Sequence, residues 1–237
     1  MLKKFFAIIA SSFVLITGIA QAAVINKDYT ILERPIPQLH KNKIEVLEFF
    51  AYNCVHCYHL EPYILKETKT FAPDTYLRPI HVVWDDGAYL NLARIAAAVN
   101  SSGLKLTADP AIFNAIFDKK IELWNPKVFN QWAAQQTAFD GYKLIKAYNS
   151  LENSAETNKM SQLARQYNIT ETPIIIIGGK YKVKFSNGFE AGMKTTRELI
   201  EKVRNENGNR VANMRKLPKS LGATIAGKAN TNGNVKP

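Results

Sequence analysis

The sequence predicts an α/β fold, a central mixed sheet flanked by helices, with an all-helical block inserted in it. Three observations predict it. Residues 44–50 (IEVLEFF) and 174–177 (IIII) are short apolar runs, the pattern of strands covered on both faces. Between them, from residue 88 to about 167, the chain is almost wholly helical in period. The resulting order is βαβ, helices, then ββα. The sheet is complete only when its two halves pair, so the helical block reads as an insertion in one α/β domain.

Each element has a local reason. Residues 29–32 read as a short edge strand, ended by the prolines at 35 and 37. Residues 44–50 form the first central strand, apolar except for Glu45 and Glu48. A helix follows to about 68, and Pro62 inside it predicts a kink or break. Residues 77–84 (LRPIHVVW) read as a strand parallel to the first, reached by a crossover. A helix is expected over 89–100. Asp109-Pro110 and Asn125-Pro126 each read as the start of a helix, with an N-cap followed by proline at the first helical position. Further helices are expected over 143–149 and 156–167. Gly178-Gly179 between apolar runs predicts a hairpin with a two-residue turn, and a last helix is expected over 195–205.

The ends of the chain differ from the body. Lys3 and Lys4, an apolar stretch over 5–19 and Ala20-Gln21-Ala22 have the form of a cleavable signal peptide, residues 1–22. No cysteine stands at the cleavage site, so no lipid anchor is expected, and export predicts a soluble protein in a compartment where disulfides persist. Of the formal charge of +11, two units lie in 1–22 and six in 208–237, which leaves the body at +3. A body so weakly basic argues against a nucleic-acid footprint. Residues 208–237 have no aromatic side chain and little apolar surface to offset ordering entropy, so a basic disordered tail is expected. The expected division is therefore 23–87 with 157–207 as the α/β domain, and 88–156 as the inserted helical domain.

The only two cysteines are in Cys54-Val55-His56-Cys57, between the strand 44–50 and the helix after it. Haem attachment requires His directly after the second cysteine, and Tyr58 is there instead. A zinc site needs two more ligands, and His56 and His59 are too cramped beside the thiols to complete a tetrahedron. A structural staple in an exported protein generally closes a longer loop. A redox-active pair remains, with no metal or other cofactor expected. Cys54, at the helix start, is the expected attacking thiol, and Cys57, one turn in, the buried resolving thiol. A helix terminus stabilises an anion by about 0.3–1 kcal/mol, at most about 2. One pKa unit costs about 1.36 kcal/mol. A strongly acidic Cys54 therefore needs hydrogen bonds and His56 as well.

Two further elements stand out. Proline cannot sit inside a central strand, so Pro173 must start the next one or take a special geometry. A cis Thr172-Pro173 bond beside the cysteines would leave the backbone of Thr172 to pair with an extended substrate. Glu48 lies on a strand that should be buried, where a carboxylate is costly and usually has a task, here proton transfer to or from Cys57.

These residues together resemble the DsbA family of periplasmic thiol:disulfide oxidases. The matching text is Leu47-Glu48-Phe49-Phe50-Ala51-Tyr52-Asn53-Cys54-Val55-His56-Cys57-Tyr58, then Ile80-His81-Val82-Val83, then Thr172-Pro173. The resemblance spans about residues 28–206. It implies a thioredoxin-like fold with an inserted helical domain, a cis Pro173, a Cys54 thiolate stabilised by His56, and Glu48 as the buried acid. It implies oxidation of reduced, unfolded exported proteins and reoxidation by a membrane, quinone-linked partner of the DsbB type. A monomer is expected. Val55 stands where the best-known members have Pro, Thr172 where many have Val, and Pro79 where some carry a lysine near the buried acid. The competing readings are a disulfide reductase or isomerase, and a non-catalytic peptide-binding chaperone module.

Overall fold

The computed structural model describes residues 22–216. The chain forms β1 (Tyr29–Ile31), β2 (Ile44–Phe50), α1 (Val55–Thr68), β3 (Thr75–His81), α2 (Ala88–Ser102), α3 (Lys105–Phe117), α4 (Pro126–Ala134), α5 (Gly141–Tyr148), α6 (Leu151–Gln166), β4 (Ile174–Ile177), β5 (Tyr181–Val183) and α7 (Phe189–Lys216). The five strands make one sheet in the order β1-β5-β4-β2-β3. β2 and β3 are parallel, and the other pairings are antiparallel. The two halves of the sheet meet between β2 and β4, where Glu48 is opposite Ile175.

β2 is buried along its whole length, as its two-faced apolar pattern requires. Its even-numbered residues Ile44 and Val46 pack against α1 and α7, with Leu60, Ile64, Leu199 and Val203. Leu47 and Phe49 face the other way, onto Ala97 of α2 and Met160 and Ala164 of α6. A third cluster fills the helical block and runs without interruption to Phe50, Tyr52 and Cys57 at the end of β2 and the start of α1. The helices therefore share their core with the cysteine pair.

Several local expectations change. α1 passes through Pro62 as a single helix, fixed on both sides by buried Leu60, Ile64 and Leu65. β3 runs 75–81 rather than 77–84, and Pro79 is tolerated because β3 is the edge of the sheet. Asn125 does cap α4, accepting from the backbone N–H of Lys127 and Val128. Asp109 does not cap a helix. α3 begins four residues earlier, at Lys105, and carries Pro110 in its interior. In the hairpin, Gly178 and Gly179 take positive φ values of 61° and 68°, and Lys180 N–H donates to Ile177 O. Pairing resumes at Ile177–Tyr181, which leaves Lys180 as a third loop residue.

α7 starts at Phe189 and continues to Lys216, well beyond the expected 195–205. The expected tail boundary at 208 thus falls inside a helix. Once a helix is nucleated by packing, each further residue adds a hydrogen bond at little cost, so propagation outlasts the packed face. The expected signal peptide up to residue 21 and the remainder of the expected tail, 217–237, lie outside the described residues. Among the described residues no helix is long and apolar enough to cross a membrane.

Candidate active site

β2 ends at Phe50, and the backbone turns through Ala51–Asn53 into α1. Cys54 is the N-cap of α1, in an extended conformation, and its Sγ accepts from the Cys57 backbone N–H at 3.3 Å. This is the position at which a helix has unpaired N–H groups to offer an anion. Cys54 is half-buried and Cys57 is 1 % exposed. Both are free thiols, so the geometry is that of the reduced protein.

The two thiols ionise very differently. Hydrogen bonding from the Cys57 thiol is the largest influence on Cys54. The Thr172 side chain and the backbone N–H groups of Cys57 and His56 add to it and outweigh partial burial, bringing Cys54 down to about 5. Cys57 is pushed far up, first by burial and then by hydrogen bonding to Cys54 and by its negative charge. At neutral pH Cys54 is a thiolate and Cys57 a thiol.

The Thr172-Pro173 peptide is cis, and Cys54 Sγ lies 3.5 Å from Thr172 O. A groove of about 510 Å³ starts here, lined by His56, Thr172, Pro173, Lys184, Phe185 and Phe189. Val55 and His56 are both exposed. The fold therefore brings Cys54, Cys57, His56, Thr172 and Pro173 to one place. His56 reaches Cys54 through its backbone N–H.

Glu48, on β2, does not line this groove and belongs to a separate buried cluster. It is 1 % exposed and shares its surroundings with Glu61 (3 %) and Asp109 (1 %). Lys105 supplies the cation: its Nζ is 2.5 Å from Asp109 Oδ2, 3.7 Å from Glu48 Oε2 and 3.8 Å from Glu61 Oε1. Tyr52 Oη donates to Asp109 Oδ1 at 2.5 Å. Burial raises Glu48 and raises Glu61 further, and Lys105 opposes both. His81 is also buried and is lowered to about 3 by that burial. It accepts from Tyr52 N–H through Nε2, and its Nδ1 faces Val82 O at 2.7 Å, so it is a neutral packing element.

Tyr52, Glu61, Lys105 and Asp109 were not among the sequence candidates. Glu61 carried a usable signal, four residues past Cys57 on a helix and hence on the same face. Lys105 and Asp109 have the same spacing, but reading Asp109 as a cap concealed it.

Two thiols one helical turn apart, one held as an anion and the other as a buried acid, are equipped to break and remake a disulfide. On a mixed five-stranded sheet with a cis proline facing them, they define a thioredoxin-fold disulfide oxidoreductase. Comparison with known proteins agrees. The family model described as Thioredoxin matches residues 40–198. The thiol:disulfide interchange protein DsbA of Burkholderia cepacia is 30% identical over 212 residues, covering 86% of this chain and 99% of that protein. Among solved structures, the oxidoreductase NmDsbA3 from Neisseria meningitidis is 51% identical with a TM-score of 0.70, covering 78% of this chain and 100% of that one. The oxidoreductase NmDsbA1 from N. meningitidis is 48% identical with a TM-score of 0.73, covering 78% of this chain and 96% of that one. The chain belongs to the DsbA family of thiol:disulfide interchange proteins.

Proposed function

We propose that this protein works in the periplasm as a dithiol oxidase, donating a Cys54–Cys57 disulfide to reduced, newly exported proteins. The observation that carries the direction of transfer is the ionisation of Cys54 at about 5. Stabilising that thiolate stabilises the reduced protein, so the disulfide accepts electrons readily. The same observation opposes a reductase.

The exchange then runs in two steps. A substrate thiolate attacks Cys54 Sγ, the Cys54–Cys57 bond breaks, and Cys57 leaves with the electron pair and takes up a proton. A second substrate thiolate attacks the substrate sulfur of the mixed disulfide and expels Cys54, which stays anionic. The substrate loses two electrons and two protons. The protein keeps both electrons and one proton, on Cys57, and the other proton goes to solvent. Cys54 is the attacked sulfur, Cys57 the resolving one, and His56 supports the Cys54 anion. The groove beside Thr172-Pro173 receives extended substrate backbone, and Val55 is exposed between the two cysteines. A membrane, quinone-linked partner of the DsbB type restores the disulfide, and no further cofactor takes part. On this reading residues 88–156 are the inserted helical domain.

The test is whether oxidised protein drives disulfide formation in a reduced, unfolded substrate. A rate well above that of glutathione disulfide at equal concentration is expected. No gain over glutathione disulfide overturns the reading.

A further inference from the structure

The groove beside Cys54 carries an unbalanced charge. It opens at Thr172, whose carbonyl oxygen is 3.5 Å from Cys54 Sγ, and besides His56 its lining includes Glu171, Lys182 and Lys184. Two of these cancel, since Lys182 Nζ is 2.8 Å from Glu171 Oε1. The third does not. The Lys184 ammonium donates to a carbonyl, Asn26 O, at 3.0 Å, and among the described residues no carboxylate is within ion-pair distance of it. An ammonium has three donors, so two remain for water or a ligand. The other walls include Pro173, Val183, Phe185 and Phe189, the two rings meeting edge to face at 5.7 Å. Apolar walls of this kind focus the field of a charge placed among them.

Lys184 is held at both ends. It directly follows β5, and its backbone N–H donates to Asp28 O at 2.9 Å. Its ammonium is received by Asn26, which turns the chain with a positive φ of 66° and donates its own N–H to Tyr29 O at 2.7 Å. Tyr29 opens β1 and is paired with Val183 of β5, so the turn and the lysine are fixed by one ladder. The start of this segment is fastened as well, because Ala23 N donates to Glu198 Oε2 of α7 at 2.5 Å. A lysine loses much rotamer freedom when it engages a ligand. Here part of that loss has occurred before a ligand arrives, which lowers the cost of binding.

We propose that Lys184 is a specificity-determining residue for the exchange, selecting substrate segments that carry an aspartate or glutamate close to the reacting cysteine. The inference rests on the disulfide-exchange reading above and deepens it by naming the substrate class. The reacting cysteine has to meet Cys54 Sγ, and an extended segment paired with the Thr172 backbone continues into the groove on one side of that cysteine. Side chains on that side meet the Lys184 ammonium. An acid makes a charge-assisted contact there, a neutral residue gains no such contact, and a base is repelled. Pairing gives the segment one direction, so the acid is favoured on one side of the cysteine and not on the other. Lys182 makes no comparable choice, because Glu171 already neutralises it.

The test compares two capped peptides of identical composition, each with a single cysteine. One has glutamate two residues before the cysteine and glutamine two residues after it, and the other has the two exchanged. Oxidised full-length protein is mixed with excess peptide, and the second-order loss of the protein disulfide is followed. Two peptide thiols become one peptide disulfide as the protein takes up both electrons. Each rate is divided by that of the same peptide with 2-hydroxyethyl disulfide, which removes differences in intrinsic thiol reactivity. The net charge of +11 attracts both isomers alike, so it cancels. One isomer should react about two- to fivefold faster than the other, the range of a partly exposed ion pair. Lys184→Gln should abolish the preference, Lys184→Glu should reverse it, and Lys184→Arg should keep it. Equal rates for the two isomers with wild-type protein overturn the inference, as does a preference that survives in folded Lys184→Gln. Should the variants not fold, wild-type protein decides. Lysine in place of the preferred glutamate should slow the reaction below that of a peptide with glutamine at both positions, and high salt should erase the difference. No slowing by lysine overturns the inference. Only relative exchange rates are read, so a protein that fails to outpace glutathione disulfide can still show the preference. One that outpaces it without the preference overturns this inference alone.

Discussion

Cys54 owes its acidity to several small contributions converging on one sulfur. The helix terminus alone gives roughly one unit, whereas the Cys57 thiol, the Thr172 side chain and two backbone N–H groups together bring it to about 5. This has a stability consequence whose sign is fixed. A thiol depressed in the folded state contributes stability that is present above its unfolded value, near 9, and is lost as pH falls through about 5. Cys57 is raised, so its contribution is complete below 9 and is lost only at higher pH. Of the two thiols only Cys54 titrates between about 5 and 9, and in the oxidised protein it cannot. The stability of the reduced protein relative to the oxidised one should therefore rise steadily across that window in urea titrations. A flat difference would contradict the thiolate assignment. The cysteines, His56, Thr172, Pro173 and Glu48 were legible because local spacing marked them. Lys105 and Asp109 were not, because Asp109 meets Tyr52 across 57 positions of sequence, and nothing local announces that contact.

At the scale of elements, the strands were legible because a two-faced apolar run has few other uses. The helix boundaries were less so. Asp109-Pro110 satisfied the local rule for a helix start, yet burial of Asp109 against Lys105 and Tyr52 placed it in the second turn of α3. Pro62 met the same fate in α1, where packing of its neighbours outweighed one lost hydrogen bond. The hairpin shows local and tertiary demands coinciding. Gly179 has φ +68°, and an added Cβ would lie 1.9 Å from Ile36 O, in the segment whose N–H donates back to Gly179 O. Gly179→Ala should cost about 1–3 kcal/mol, visible as a lower urea midpoint. An unchanged midpoint would mean that the segment after β1 yields more easily than its hydrogen bonds indicate.

At the scale of the molecule, the helical block and the sheet are joined by a core that does not stop between them. Phe113 of α3 packs against Phe50, Tyr52 and Tyr58, so the same rings support the helices and the segment carrying the cysteines. Phe113→Ala should cost about 3–5 kcal/mol and lower the single unfolding transition of the whole protein. Circular dichroism and tryptophan fluorescence should report the same midpoint, since Trp132 lies in α4 and Trp84 just after β3. Two separated transitions would show that the block and the sheet fold independently.

Composition and spacing alone determined that this chain carries a redox-active cysteine pair at the mouth of a helix on an α/β sheet. Those facts depend on near neighbours, and one to four residues of context suffice to state them. Only the tertiary structure decided which side chains surround the buried acid, that its cation comes from α3, and how far α7 extends. Buried charges choose partners in space, where the cost of leaving them unpaired is set by everything that closes around them.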